Sequence, residues 1–175
     1  CSNIGSAGVY TAPAVTLPPN ARATAIAYET VMTTAILLTA VLLLFSTSIH
    51  YATLRAVSAA IAARPDARYF GLLLSVGAIT LAHVVEASLY AGGFWLGDDV
   101  FMIGSFKVED EMGWMDYFYF SLVNFTTLGR GDIAPTDHQR FIAGIEAFNG
   151  FLLITASGSF ILQVMRGKAP LSREW

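Results

Sequence analysis

Charge is what this 175-residue chain has least of. Asp, Glu, Lys and Arg make up 13% of it, against about 25% in ordinary soluble domains. That shortage excludes a conventional water-facing surface. Hydrophobic residues reach 55% and the mean hydropathy is +0.57. Cysteine is nearly absent: Cys1 stands alone, so no internal disulfide framework can form. The net charge is −3 and no basic tract is present, which argues against a nucleic-acid partner. No apolar run carries repeated arginines, so there is no voltage sensor. Enzyme signatures are missing too. No nucleophile lies near a base and an orienting acid, and no cofactor fingerprint occurs. Gly129-x-Gly131 lacks the strand and helix context of a nucleotide site.

What the chain has instead is long apolar runs. Residues 1–25 are small and polar, with Pro13, Pro18 and Pro19, and read as an extended external tail. The first membrane helix is expected over 26–53, with its apolar centre at 30–50. About 20 residues suffice to cross a hydrocarbon core of ~30 Å. A short loop would hold Arg55, Arg64, Pro65, Asp66 and Arg68. A second span is expected over 69–94, followed by a polar stretch with Asp98, Asp99, Glu109, Asp110 and Glu111. The amphipathic segment 114–125 is too short to span. A Gly-rich turn and Pro135 follow it, the pattern of a re-entrant loop over 114–135. A third span is expected over 141–165, then a tail at 166–175 with Arg166, Lys168 and Arg173. The expected fold is an all-α membrane protein: three transmembrane helices plus a re-entrant pore helix and filter-like loop, in contact with membrane lipids. Arg55, Arg64 and Arg68 share one side with Arg166, Lys168 and Arg173, and the acidic loop lies on the other. The positive-inside rule then places the N-terminus outside and the C-terminus in the cytoplasm.

The stretch Thr126-Thr127-Leu128-Gly129-Arg130-Gly131-Asp132 says most about function. A filter for dehydrated cations needs backbone carbonyls to replace the ion's water, and alternate glycines permit the torsions this requires. The segment resembles the pore loop of the tetrameric potassium channel family, whose filter reads Thr-Val-Gly-Tyr-Gly-Asp. The resemblance covers roughly residues 30–165 and is strongest over 116–150. It implies a 69–165 pore unit of helix, pore loop and helix, preceded by one extra helix as in a bacterial subgroup. It implies K+ in the filter and no other cofactor, a homotetramer, and the bacterial cytoplasmic membrane. Thr127 would offer its hydroxyl to the innermost ion. Tyr117, Tyr119 and Phe120 resemble the aromatic cuff that braces the filter, with Tyr119 able to hydrogen-bond Asp132. With a one-residue gap, Gly150 falls at the family's gating hinge. Arg130 departs from the pattern. The family has an aromatic there, packed between subunits, and four guanidinium groups around one axis would place positive charge at a cation entry.

Polar residues also occur inside the apolar runs. His83 and Glu86 lie three apart in the second, and Glu146 and Asn149 three apart in the third. Charged groups at membrane depth usually face protein interior. Two readings of this set are open: an ion path or metal site, and an interhelical hydrogen-bond clamp. The residues favour the clamp, and no metal is expected. His50 reads as an ordinary boundary residue, and Glu29 as solvated or paired with Arg22. Cys1-Ser2-Asn3 resembles the start of a mature bacterial lipoprotein, which implies acyl chains on Cys1; the alternative is simply where the sequence begins. Two functions follow. One is a potassium-like cation channel subunit. The other is a non-conducting accessory subunit bound to other membrane proteins, with Arg130 making a structural contact.

Overall fold

The computed structural model describes residues 21–108 and 111–171, with side chains from residue 25 onward. Cys1, the tail to residue 20, Glu109, Asp110 and Arg173 lie outside the described residues, as does the side chain of Arg22. Three helices are long and apolar enough to cross a membrane. Helix α1 runs Ala21–Ala62 and α2 runs Arg68–Trp95. A single π-helical turn, Leu96–Val100, extends α2. Strand β1 (Phe106–Lys107), helix α3 (Trp114–Phe125), strand β2 (Ala134–Pro135) and helix α4 (Gln139–Met165) follow.

Helix α1 is longer than its sequence suggested. It begins at Ala21, so residues 21–25 are helical rather than extended, and it continues past residue 53 to Ala62. Arg55, expected in a loop, is therefore on the helix. At 1.5 Å per residue its 42 residues span ~63 Å, about twice the hydrocarbon thickness. Residues 20–64 contain neither glycine nor proline, so no stop signal comes before Pro65.

The bundle is built as membrane packing requires, with small and polar groups inside and bulk outside. Ala35, Thr39, Leu42, Ser46, His50, Leu54 and Ser58 are buried at helical spacing along α1. Leu37, Leu44, Phe45 and Tyr51 on its other faces are exposed. Lipid is as apolar as leucine, so helices gain from close backbone approach and shared hydrogen bonds rather than from hiding leucine. Gly93 of α2 shows this: an added Cβ would overlap the Leu42 side chain. Helix α4 offers a similar buried stripe, Ile142, Glu146, Asn149, Leu153, Ser157 and Phe160.

The two ends of the bundle differ in charge. At one end, Arg64, Arg68 and Lys168 line a common crevice with Gly167, and the Leu171 amide donates to Ser58 Oγ at 2.9 Å. At the other, Asp98, Asp99, Glu111, Asp116 and Asp132 surround α3 and the loop after it. A two-stranded antiparallel ribbon closes this end. Phe106 pairs with Pro135 and Lys107 with Ala134, so the chain entering α3 is tied to the chain leaving the loop. Beneath it Phe106, Phe94 and Phe120 pack edge to face, with ring centroids 5.0 to 5.7 Å apart.

Candidate ion pathway and its supports

Helix α3 is a 12-residue non-spanning helix. Asp116 fixes its start, accepting the Gly113 amide at 2.8 Å. A carboxylate in the first turn also suits the positive end of the helix dipole. Two tyrosines then fasten it. The Tyr117 hydroxyl donates to Asp98 Oδ2 at 2.8 Å, binding α3 to the end of α2. The Tyr119 hydroxyl donates to Asp132 Oδ2 at 2.8 Å, so the pair suggested by the sequence is formed. Phe120 is buried in the aromatic cluster.

The last turn of α3 merges with the filter-like loop. The Thr127 amide donates to the Asn124 carbonyl at 2.9 Å and the Leu128 amide to the Val123 carbonyl at 3.0 Å. Thr126 closes the helix with its own hydroxyl, which donates to the Leu122 carbonyl at 2.8 Å. Beyond it the backbone alternates in hand. Thr127, Gly129 and Gly131 have φ of +59°, +53° and +79°, while Leu128 and Arg130 between them do not enter that region. Alternation of this kind turns successive N–H groups to one face of the segment and the carbonyls to the other. It is cheap for glycine and costly for a β-branched residue, so Thr127 holds strain of about 1–3 kcal/mol. The irregular segment 127–132 is exposed along its length, with Leu128 at 72%. An added Cβ at Gly129 or Gly131 would meet nothing, so their torsions, not crowding, call for glycine.

Arg130 is exposed and is no buried orphan. Its guanidinium lies close enough to act on Tyr119 and Asp132. The Tyr119 hydroxyl above all, then local backbone amides and Arg130, hold the Asp132 carboxyl below its ordinary value of 3.8. The reciprocal effect raises Tyr119. For a lowered carboxylate the linked stabilisation is present above the ordinary value and is lost as pH falls through the lowered one. Asp132 is thus charged near neutrality. Tyr119→Phe should move the Asp132 midpoint up toward 3.8, measured by NMR titration. A midpoint that stays put would show that the hydroxyl does not set it.

The polar residues expected to form one intramembrane cluster separate into three. Glu146 does not bond His83 or Glu86. It lies behind α3, 2.5 Å from Ser121 Oγ, and accepts from Asn124 Nδ2 at 2.6 Å. Ser121 Oγ also reaches the Ala87 carbonyl at 2.6 Å, and Asn124 donates to the Ala143 carbonyl. One buried carboxyl therefore joins α2, α3 and α4. Asn149 belongs to a second set, with Ser46 Oγ at 3.0 Å and the Tyr90 hydroxyl at 3.2 Å. The third set holds His83 and Glu86 together with His50 and Ser157. His50 is no boundary residue: it is 3% exposed. Sequence reading missed it, along with Ser46, Tyr90, Ser121, Asn124 and Ser157. The available signal was the spacing of Ser46, His50 and Ser58 at multiples of four, on one helical face.

Gly150, expected at the hinge, is a close packing point in the structure. An added Cβ there would overlap the Phe125 carbonyl oxygen. What the geometry gives it is close contact with the C-terminal end of the pore helix, where the partial negative charge of the helix dipole lies.

A protein-family model described as "Ion channel" matches residues 78–167, from the middle of α2 through all of α4. The chain belongs to the two-helix ion-channel pore family. No curated protein and no solved structure matches it. The matched region contains the pore helix, the alternating loop and all three polar sets except Ser46 and His50. The match begins within α2 and leaves α1 outside it. Helix α1 enters the same polar interior from outside the family's core.

Proposed function

We propose that the chain is the subunit of a cation channel, potassium-like in selectivity, assembled as a homotetramer in a bacterial cytoplasmic membrane. The observation that carries this reading is the alternation of left-handed torsions at Thr127, Gly129 and Gly131, in a segment exposed on the protomer. Such a segment presents a row of carbonyls, the chemistry that replaces a cation's hydration shell. Fourfold assembly would surround the ion with carbonyls of 127–131 and give the exposed loop its neighbours. Asp98, Asp99, Glu111, Asp116 and Asp132 supply a negative mouth that raises local cation concentration. Basic residues at the opposite end fit a cytoplasmic C-terminus and an outward-facing mouth. K+ is then the transported ion rather than a resident cofactor.

The second reading is a non-conducting accessory subunit that keeps the pore fold and binds other membrane proteins. Arg130 favours it, because a guanidinium stands where the filter motif has an aromatic. Mass measurement after gentle solubilisation, followed by K+ flux into proteoliposomes, separates the two. A self-tetramer with flux is expected. Co-purification in fixed ratio with foreign subunits, without self-assembly or flux, would replace the channel reading with the accessory one.

A further inference from the structure

We propose that His50, His83 and Glu86 form a binding site for a divalent transition-metal ion of the zinc class, which fastens α1 to the pore unit. This goes beyond conduction and concerns a site outside the ion path. The three side chains can each offer a donor atom within 4.8 Å of the others. His50 Nδ1 lies 3.1 Å from Glu86 Oε1, and His83 Nδ1 lies 3.0 Å from Glu86 Oε2. The edge of a tetrahedral zinc site with bonds of 2.0–2.1 Å is about 3.3 Å, so donors that lie within 4.8 Å of one another would draw together around the ion. Two imidazoles and one carboxylate are a donor set for borderline metals, and a fourth position stays open.

Charge and hydrogen counting point the same way. The Glu86 side chain is fully buried, and its only ion-pair contacts among the described residues are the two histidines. A carboxylate at membrane depth needs a compensating cation. The rings stack at 5.3 Å and 27°, and both Nε2 atoms face one oxygen, Ser157 Oγ, at 3.3 and 3.2 Å. If both Nδ1 lone pairs bind metal, both Nε2–H groups donate to the two lone pairs of that oxygen. This is the outer-shell support that ligating histidines usually have. His50 comes from α1, His83 and Glu86 from α2, and Ser157 from α4. The Phe125 ring lies 5.5 Å from His83, so the ion would sit behind the end of the pore helix.

The test uses the full chain in lipid nanodiscs, stripped with chelator and dialysed against Zn2+. About one zinc per chain should be retained by elemental analysis, the count for a single closed set of ligands. His50→Ala, His83→Ala and Glu86→Gln should each cut retention at least tenfold, and His138→Ala should leave it unchanged. Ser157→Ala keeps every ligand and should weaken zinc about tenfold while preserving the visible absorption of the Co2+-substituted site. That variant covers the case in which a ligand variant fails to fold. A wild-type chain that retains no zinc, or ligand variants that retain as much as wild type, overturns the proposal. In the first case, NMR detection of one shared imidazolium would make the cluster a proton-neutralised clamp instead.

Discussion

Gly150→Ala should leave the protein unable to hold its pore helix in place. The added methyl would overlap the Phe125 carbonyl oxygen and press on the Phe125 ring carbon at 3.0 Å. A clashing backbone atom cannot rotate away as a side chain can, so α3 or α4 must move bodily. Overpacking a tight core costs 1–3 kcal/mol and sometimes more. Here the lower bound is set by the backbone, so about 3 kcal/mol or more is expected, over 100-fold in the folded ratio. The same shift would pull Asn124 from Glu146 and disturb the Thr127 amide bond to Asn124. Thermal melting in detergent and loss of assembly would report it. A hinge role predicts otherwise: Gly150→Ala would stay folded and alter only open probability. A variant with unchanged melting temperature would therefore restore the hinge and remove the packing argument.

Arg130→Tyr should raise cation flux roughly tenfold in proteoliposomes. At about 10 Å and the dielectric of water, one guanidinium opposes a monovalent cation by ~0.4 kcal/mol, and four around an axis by ~1.7 kcal/mol, roughly 15-fold in rate. Asp132 offsets part of this, because Arg130 lies close enough to help keep it charged. High salt should shrink the difference, since exposed charges beyond a Debye length are screened. Arg130→Lys keeps the charge and should stay near wild type. If neither the wild type nor Arg130→Tyr passes ions as a purified tetramer, the channel reading falls. A gain in Arg130→Lys equal to that in Arg130→Tyr would show that shape rather than charge limits the flux.

How much of this was legible in the sequence depends on whether each feature is local. The pore helix and its loop were readable because their causes lie within a short stretch. Residues 114–125 are too short to span, Asp116 sits in the first turn, and alternate positions 127, 129 and 131 carry the torsions. The partnership of Tyr119 with Asp132 was also readable, being only thirteen residues apart. The length of α1 was not, because apolarity marks where lipid is, whereas a helix ends where backbone hydrogen bonds stop. Nor was the packing of Gly150, which depends on an atom 25 positions earlier in another helix.

The sequence by itself determined that this chain is a membrane protein with three spans and a filter-like re-entrant loop. Scarcity of charge, run length and the Thr-x-Gly-x-Gly-Asp pattern act through solvation and local torsion, and need no partner. Only the tertiary structure decided which buried polar groups meet. His50 and Glu86 are 36 residues apart, and Asn149 and Ser46 are 103 apart. Helical spacing puts a residue on a face, but the rotation and depth of neighbouring helices decide what it touches. In lipid those are set by close backbone contacts, such as Gly93 on Leu42 and Gly150 on Phe125. That is why one apparent cluster resolved into three, and why a histidine that read as a boundary residue came to lie at the centre of one of them.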